Sequence, residues 1–309
     1  MLLTEKNKPF NNRNYIFEPK FDGIRALIYA NKNQIKILSR NKNNISNLFP
    51  ELIKIKNNIT KNVIFDGEII IMDENHPSFE KISKRLHLKS RKNILKASKE
   101  NPAVYICFDI LYENENLTNF PLLKRKKVLE KYLDTNVFIK TKYFKDGINL
   151  FNKIKNINWE GIVAKKENSK YEINKRSENW IKIKNIKDSD FYINGYIENK
   201  KSVMNTLILS EKIKGKFYYR GKVTINKNKD DFKIIKNNKI VKKSTLVNFN
   251  EKDVFYIKPT LKCTVTYTEK TKNNTLRHPV YKTLKSWITL SAFYFSIKNL
   301  TNVSGVEFP

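Results

Sequence analysis

Several residue types that define common protein classes are scarce in this chain of 309 residues. Only two cysteines, Cys107 and Cys263, are present, which excludes a disulfide scaffold and a four-cysteine zinc site. The three histidines, His76, His87 and His278, are too scattered along the sequence to indicate a zinc cluster. We therefore expect both cysteines to behave as small buried hydrophobic residues in a reducing cytoplasm.

Long hydrophobic runs are also missing. The N-terminus passes from Met1–Leu3 directly into charged residues, so it has no apolar core of a signal peptide. The longest apolar stretch, Trp287–Ile297, is well short of the roughly 20 residues that a bilayer-spanning helix needs. The sequence thus predicts a soluble, cytoplasmic protein without a membrane segment.

Acidic residues are half as frequent as basic ones. The chain has 30 Asp and Glu against 61 Lys and Arg, a formal net charge of +31. This balance excludes an acidic or neutral binding protein and predicts strong attraction to a polyanion. A hydrophobic fraction of 40% with 12% aromatic residues excludes a wholly disordered basic tail, and the length predicts two domains.

Strand-like runs dominate the first part of the chain, with short helical patterns between them. The predicted strands are Ile24–Ala30, Gln34–Leu38, Val63–Ile71 and Val104–Leu111. Apolar residues at helical spacing predict helices over Phe79–Leu86, Leu122–Leu133 and Leu150–Ile157.

The texture of the sequence changes after Lys184. A polar segment, Asn185–Asp190, precedes short strands predicted at Phe191–Glu198, Met204–Ser210, Lys216–Val223 and Leu261–Glu269, with one helical patch at Lys229–Ile235. Short strands with a single helix are typical of a small β-barrel. We place a domain boundary near residues 186–190.

The first segment with a chemical signal is Glu18–Pro19–Lys20–Phe21–Asp22–Gly23–Ile24–Arg25. An Asp–Gly turn directly after Lys20 can hold the lysine amine at the mouth of a pocket, where it would serve as a nucleophile. Taken alone, the same pattern also fits an ordinary hairpin turn at a solvated edge.

Further charged residues stand where apolar strands are predicted. Asp66–Gly67–Glu68 interrupts one apolar run, Asp109 another, and Glu160–Gly161 begins a third. Buried carboxylates are costly unless they are paired or used. Lys182 and Lys184 alternate with apolar residues, which places both on one face of a strand, although a solvated face would show the same alternation. Three of the eight glycines, Gly23, Gly67 and Gly161, directly follow an acidic residue in these segments.

Phosphoryl transfer is the chemistry that these residues can share. A lysine nucleophile, carboxylates for a divalent metal ion and lysines that neutralise phosphate are its usual components. Attack of the amine on the α-phosphate of a nucleotide would leave a covalent lysyl-nucleotide and release pyrophosphate.

In order and spacing, these segments resemble the ATP-dependent DNA ligases of the covalent nucleotidyltransferase superfamily, and in detail the ligase module of the bacterial DNA ligase D family. The resemblance covers about residues 15–284 and includes further matches at Ser39–Arg40–Asn41, Leu48–Phe49–Pro50–Glu51–Leu52, Pro77–Ser78–Phe79 and Thr275–Leu276–Arg277–His278–Pro279–Val280–Tyr281. The chain departs from that family at Thr224–Ile225–Asn226 and after Tyr281, and 287–309 has no recognised counterpart.

The resemblance implies a role for each matched residue. Lys20 would be the adenylated nucleophile, and Glu68 and Glu160 would hold the metal ion, Mg²⁺ or Mn²⁺. The nucleotide-binding residues would be Glu18 at the adenine, Arg25 and Arg40 at the ribose and the 5′-phosphate of the nick, Glu68 near the ribose, Phe108 stacked on adenine, Lys182 and Lys184 at the α-phosphate, and Arg277 at the leaving pyrophosphate.

The resemblance also implies an α+β architecture. An adenylation (nucleotidyltransferase) domain of antiparallel sheets with flanking helices would span 1–187 and an OB-fold β-barrel 188–285, followed by an extension of unknown role over 286–309. The protein would seal nicked or broken duplex DNA as a monomer in the cytoplasm, at the nucleoid, in DNA repair by non-homologous end joining, with ATP as cofactor and bacterial Ku as a partner.

Three alternatives remain open from the sequence. RNA ligases and messenger-RNA capping enzymes share the Lys–x–Asp–Gly chemistry, although Arg277–His278–Pro279 and Ser39–Arg40–Asn41 favour a DNA ligase. The third alternative is a non-catalytic basic DNA-binding protein. A non-catalytic protein would have no need for the carboxylates and lysines predicted in its apolar strands, which argues against this alternative.

Overall fold

The computed structural model describes residues 1–271 and 273–285. The chain divides into two compact units, the first comprising Met1–Asn185 and the second beginning at Ile186. The expected extension over 286–309 lies outside the described residues.

The first unit contains ten strands and four α-helices among the described residues. The strands are β1 Leu2–Glu5, β2 Tyr15–Lys20, β3 Ile24–Ala30, β4 Ile35–Ser39, β5 Val63–Asp73, β6 His76–Pro77, β7 Ala103–Glu113, β8 Phe138–Lys140, β9 Gly161–Lys166 and β10 Arg176–Lys184. The helices are α1 Phe79–Leu86, α2 Arg91–Glu100, α3 Leu122–Leu129 and α4 Gly147–Asn156, with 3-10 helices at Ser46–Leu48 and Pro50–Asn58.

Two sheets organise this unit. One has four strands in the order β1-β10-β9-β2, and the other has six, in the order β4-β3-β5-β7-β8 with β6 paired to β5. The α+β class is as predicted, but the sheets are mixed rather than purely antiparallel. The pairs β1–β10 and β7–β8 are parallel.

Apolar side chains on the two sheets pack against different helices. The six-stranded sheet contributes residues such as Ile28, Phe65 and Ile69 to the largest core, which it shares with α1, α3 and the 3-10 helices. The four-stranded sheet packs Phe17, Ile162, Ile181 and Ile183 against Leu150 and Ile154 of α4. A smaller buried cluster includes Leu111 of β7 and Trp180 of β10, so apolar residues of both sheets also lie outside these two cores.

The segments Phe49–Leu52 and Pro77–Phe79 meet around one buried arginine. Arg85 of α1 is almost fully buried and pairs with Glu51 at 2.8 Å, and it donates further hydrogen bonds to the carbonyls of Ala97 and Asn101. Ser78 caps α1 by accepting from the amide of Lys81. These contacts hold α1, α2 and the second 3-10 helix together.

The second unit consists of β11 Lys187–Ile197, β12 Met204–Ile213, β13 Lys216–Asn226, α5 Asp230–Lys236, β14 Phe255–Tyr256, β15 Lys262–Tyr267 and β16 Val280–Lys285. Its strand order is β13-β12-β11-β15-β16, with β14 paired to β11. Phe191, Ile193, Leu207 and Val265 are buried in its core together with Phe232 of α5.

Two predicted elements have different bounds in the structure. The strand predicted at Phe191–Glu198 is part of β11, which begins at Lys187 within the polar segment and pairs with β15 from its first residue. The helix predicted over Leu122–Leu133 ends at Leu129, and the side chain of Leu133 is 71% exposed, so it contributes nothing to the core. Helix α2 was not predicted.

Cys107 and Cys263 are both free thiols and both buried, which confirms the prediction for these residues. Burial raises the pKa of each thiol, that of Cys263 to about 12. Of the helices in 1–271 and 273–285, none combines the length and apolarity that crossing a bilayer requires.

Candidate active site

The polar face of the four-stranded sheet carries several of the residues singled out in the sequence. Side chains alternate along β10, so that Ile181 and Ile183 enter the core beneath the sheet while Lys182 and Lys184 occupy its other face. Antiparallel pairing aligns two rows of residues across β2, β9 and β10, namely Lys20–Gly161–Lys184 and Glu18–Val163–Lys182.

Gly161 permits this close approach of strands. Its φ is +144°, a conformation that residues with a side chain rarely adopt, and a Cβ at this position would lie 2.1 Å from the carbonyl oxygen of Ile183. The glycine after Glu160 is therefore a requirement of the backbone, and it keeps Lys20 and Lys184 in the same row.

Lys20 and Glu160 form an ion pair at the edge of this face. Lys20 Nζ lies 2.6 Å from Glu160 Oε2, and both side chains are less than one fifth exposed. The amine is thus held in one orientation but remains reachable, as a nucleophile must be. The nearest charged partner of Lys20 is this carboxylate and not Arg25, whose guanidinium is held by another group.

Arg25 lies on the six-stranded sheet and binds Asp66 of the neighbouring strand. Arg25 Nε and Nη2 donate to the two carboxylate oxygens at 3.0 and 2.6 Å, and Tyr171 donates to the same carboxylate at 2.7 Å. Although burial alone would raise the pKa of Asp66, Arg25 and Tyr171 lower it below its usual value. Asp66 therefore orients Arg25. In the antiparallel pairing of β3 and β5, Arg25 stands opposite Glu68.

Glu68 is the carboxylate whose protonation is most strongly affected by its surroundings. Burial raises its pKa to about 8; the charge of Glu160 contributes in the same direction, whereas Lys20 opposes the shift. Glu68 and Glu160 are therefore near neighbours in an environment that favours a cation. Among the described residues no three His, Cys, Asp or Glu side chains form a complete metal site.

Two carboxylates are nevertheless sufficient protein ligands for a magnesium ion. Mg²⁺ is usually bound by one or two carboxylates, with phosphate oxygens of the substrate and water as its other ligands. The donor set of Glu68 and Glu160 fits such an ion, which would neutralise charge on the phosphates.

A cavity lined by residues of both sheets opens beside Lys20. Phe108 and Trp180 are two of its walls, with ring centroids 5.9 Å apart and nearly perpendicular planes. The lining residues are Leu3, Glu18, Pro19, Lys20, Phe21, Arg25, Glu68, Phe108, Thr141, Val163, Lys165 and Trp180. The cavity thus combines flat aromatic surface with charged groups at one end.

Glu18 lies at the inner end of the cavity and is only 2% exposed. Its carboxylate contacts two buried lysines, Lys165 at 2.7 Å and Lys126. Lys165 Nζ also lies 4.3 Å from the ring centroid of Phe108, and burial lowers its pKa to about 8. Neither lysine was assigned a role from the sequence.

A signal for both lysines was present in the sequence. Lys165 lies two residues after Val163 in an apolar strand, so both lie on one face while Ala164 lies on the other, the same pattern that drew attention to Lys182. Lys126 lies four residues after Leu122 and three before Leu129, on the buried face of α3. In a chain so rich in lysine, both were easily taken for solvated residues.

The remaining predicted residues lie apart from the cavity walls. Lys182 and Lys184 follow Trp180 on the same face of β10, and their ammonium groups contact Glu5. Arg40 is exposed directly after β4. Arg277 lies in the second unit, where Nη1 pairs with Glu269 at 2.8 Å.

The sequence matches two family models along most of its length. Residues 3–184 match a model described as "ATP dependent DNA ligase domain", and residues 200–286 match "ATP dependent DNA ligase C terminal region". The second match agrees with the predicted OB-fold for the C-terminal unit.

Two curated proteins illustrate the similarity. The SPbeta prophage-derived DNA ligase-like protein LigB of Bacillus subtilis is 41% identical over 201 residues, 63% of this chain and 70% of LigB. The multifunctional non-homologous end joining protein LigD of Mycolicibacterium smegmatis is 25% identical over 300 residues, 92% of this chain but 38% of LigD.

The fold is shared with a solved structure of mycobacterial DNA ligase D complexed with ATP and MES. The TM-score is 0.56 at 21% identity, and the alignment covers 93% of this chain and 94% of that one. The expected class, a nucleotidyltransferase domain followed by an OB-fold, is thereby confirmed.

Proposed function

This chain belongs to the ATP-dependent DNA ligase family, and we propose that it seals 5′-phosphate and 3′-hydroxyl breaks in duplex DNA through AMP bound covalently to Lys20. The observation that supports this proposal most strongly is the row Lys20–Gly161–Lys184 on the face of the four-stranded sheet, with Glu160 at 2.6 Å from the Lys20 amine. A nucleophile, a carboxylate and a phosphate-binding cation thus share one surface.

Lys20 begins the reaction. Its Nζ attacks the α-phosphorus of ATP, a bond forms between nitrogen and phosphorus, and the bond to the leaving pyrophosphate breaks. Glu160 Oε2 orients the amine and is placed to accept the proton that Lys20 must lose. Lys182 and Lys184 neutralise the α-phosphate, where charge develops in the transition state.

The cavity would hold the nucleoside. Phe108 offers an aromatic face for the adenine, Glu18 lies at the inner end, and Arg25 and Glu68 lie on the side of the six-stranded sheet. Glu68 and Glu160 would bind the divalent ion, Mg²⁺ or Mn²⁺, which supplies charge neutralisation when present. Because Nε and Nη2 of Arg25 both donate hydrogen bonds to the carboxylate of Asp66, the guanidinium is positioned before a nucleotide binds.

Two further displacements complete the cycle. An oxygen of the DNA 5′-phosphate attacks the α-phosphorus of the adenylate and frees the Lys20 amine, and the DNA 3′-hydroxyl then attacks the 5′-phosphorus and releases AMP. Arg40 would contact the 5′-phosphate and Arg277 the pyrophosphate. We assign adenylation to 1–187 and duplex binding to the basic OB-fold unit, 188–285, in which phosphate contacts fix the register.

The cellular context is proposed from the relatives. Similarity to LigD, whose name describes non-homologous end joining, supports a role in DNA repair in the cytoplasm, at nucleoid DNA, with a bacterial Ku-type end-binding protein as partner. The chain matches only 38% of the length of LigD, so the end-joining role of LigD has to be tested directly on this chain. We propose that it acts as a monomer.

Sealing of a nicked duplex with a labelled 5′-phosphate tests the proposed function. Wild type with ATP and Mg²⁺ should convert the nick to a continuous strand and pass through an adenylated DNA, whereas Lys20→Ala should seal only a nick that is already adenylated. Cohesive and blunt ends, with and without Ku, test end joining. A preference for GTP or for nicked RNA would instead support a capping enzyme or an RNA ligase.

A further inference from the structure

The two lysines assigned to the α-phosphate already share an anionic ligand of the protein itself. Lys182 Nζ lies 3.0 Å and Lys184 Nζ 3.2 Å from the same oxygen, Oε2 of Glu5. An oxygen of a phosphate would make the same kind of contact, because it is also an anionic acceptor that binds two ammonium groups.

The position of Glu5 is fixed by the backbone around it. Strand β1 runs parallel to β10 with Glu5 opposite Lys182, and the amide of Lys6 donates to the carbonyl of Lys182 at 3.0 Å. The register shifts between Leu3 and Thr4, and the Thr4 hydroxyl donates to the carbonyl of Trp180 at 3.2 Å. Glu5 is thus presented to both lysines by a strand that is paired along its length.

The charge of Glu5 is stabilised by the same contacts. Burial would raise its pKa, but hydrogen bonds from Lys182 and Lys184 outweigh this effect and lower the pKa below its ordinary value. At neutral pH a negatively charged carboxylate therefore occupies the two cations that the triphosphate needs.

We propose that Glu5 is a built-in competitor for the phosphate of the nucleotide, and this inference rests on the function proposed above. ATP must displace the carboxylate from Lys182 and Lys184 before the α-phosphate can bind them. After AMP has been transferred to the DNA, the carboxylate of Glu5 pairs with both lysines again. Glu5 thereby raises the ATP concentration at which adenylation proceeds, without taking part in bond making or breaking.

Single-turnover formation of the labelled lysyl-adenylate, measured against ATP concentration, tests this inference on the full chain. Glu5→Gln keeps the shape of the side chain and removes its charge. Because Glu5 is 38% exposed, solvent screens its attraction, and we expect the half-saturating ATP concentration to fall by about 3- to 10-fold. The maximal rate should stay within about 2-fold of wild type, since no reacting group changes.

Glu178→Gln is the matched control. Glu178 is an exposed glutamate on the same strand, β10, so its replacement changes the net charge equally without touching the pair of lysines. Its half-saturating ATP concentration should equal that of wild type. Glu5→Asp keeps the charge but shortens the side chain, and it should resemble Glu5→Gln if contact with the lysines is what matters.

The opposite results have distinct meanings. An unchanged or higher half-saturating ATP concentration in Glu5→Gln would overturn the inference and leave Glu5 as a residue that merely positions the lysines. An equal decrease in Glu178→Gln would show that only net charge matters, and would overturn it as well. If wild type itself formed no adenylate, the proposed function would fail, which is visible before any Glu5 variant is compared.

Discussion

Replacement of Arg125 by methionine should destabilise the first unit strongly and disturb the nucleotide cavity. Arg125 of α3 and Asp109 of β7 are both fully buried and form a two-pronged ion pair, with Nε–Oδ1 and Nη2–Oδ2 distances of 2.8 Å. Arg125 Nη1 also donates to the carbonyls of Phe120 and Ser169. The pair connects β7, which carries the cavity residue Phe108, with α3, which carries Lys126 beside Glu18.

The expected loss follows from this burial. Arg125→Met leaves the Asp109 carboxylate without a counter-ion in the core and should cost about 3–5 kcal/mol of unfolding free energy. For a unit of this size, that corresponds to a decrease in Tm of roughly 6–20 °C. Arg125→Lys keeps a positive charge but loses the fork and should cost less, about 1–3 kcal/mol.

Urea unfolding followed by circular dichroism measures these differences. The double variant Asp109→Leu with Arg125→Met removes both charges, so it should be more stable than Arg125→Met alone by at least about 1 kcal/mol. A loss below about 1 kcal/mol in Arg125→Met, or a double variant less stable than either single one, would refute this reasoning.

Three further predictions concern the backbone, the pH dependence and the charge. Gly161→Ala should abolish adenylation and destabilise the protein by about 3 kcal/mol or more. Gly215 also has a positive φ but lies in open space, so Gly215→Ala should cost about 1 kcal/mol and leave adenylation intact. Thermal melting and adduct formation measure the two effects. Since Lys165 titrates near pH 8 when folded and at about 10.5 when unfolded, the unfolded chain binds more protons between these values. The contribution of Lys165 to the unfolding free energy should therefore rise from pH 8 to 10.5, so the slope against pH should be more positive in wild type than in Lys165→Met; equal slopes would contradict the assignment. Affinity for duplex DNA, measured by fluorescence anisotropy, should fall at least 100-fold from 50 to 200 mM salt, and a flat profile would contradict phosphate binding by the +31 chain.

Local patterns in the sequence were sufficient to place two of the candidate residues on one face of a strand. Lys182 and Lys184 alternate with Ile181 and Ile183, and this period of two places the lysines on one face in any strand. Gly161 after Glu160 likewise reports a backbone requirement, since the structure leaves no space for a Cβ. The alternation of the lysines depends only on adjacent residues, whereas Gly161 is required by the carbonyl of Ile183 in the paired strand.

Features that depend on distant residues could not be predicted. The pairing of β1 with β10 joins segments more than 170 residues apart, and the short strand Leu2–Glu5 has no periodic signal of its own. The role of Glu5 was hidden for that reason. The burial of Arg85 and Arg125 has no local signal, because only the tertiary structure shows the carboxylates and carbonyls that bind them.

Site mapping of the covalent adduct tests the central claim most directly. Wild-type protein incubated with ATP and a divalent metal ion, after removal of resident adenylate with pyrophosphate, should gain one AMP by intact-mass spectrometry, and peptide mapping should place it on Lys20. Lys20→Ala and Lys20→Arg should gain none. AMP on another lysine, or an undiminished adduct in Lys20→Ala, would contradict the account.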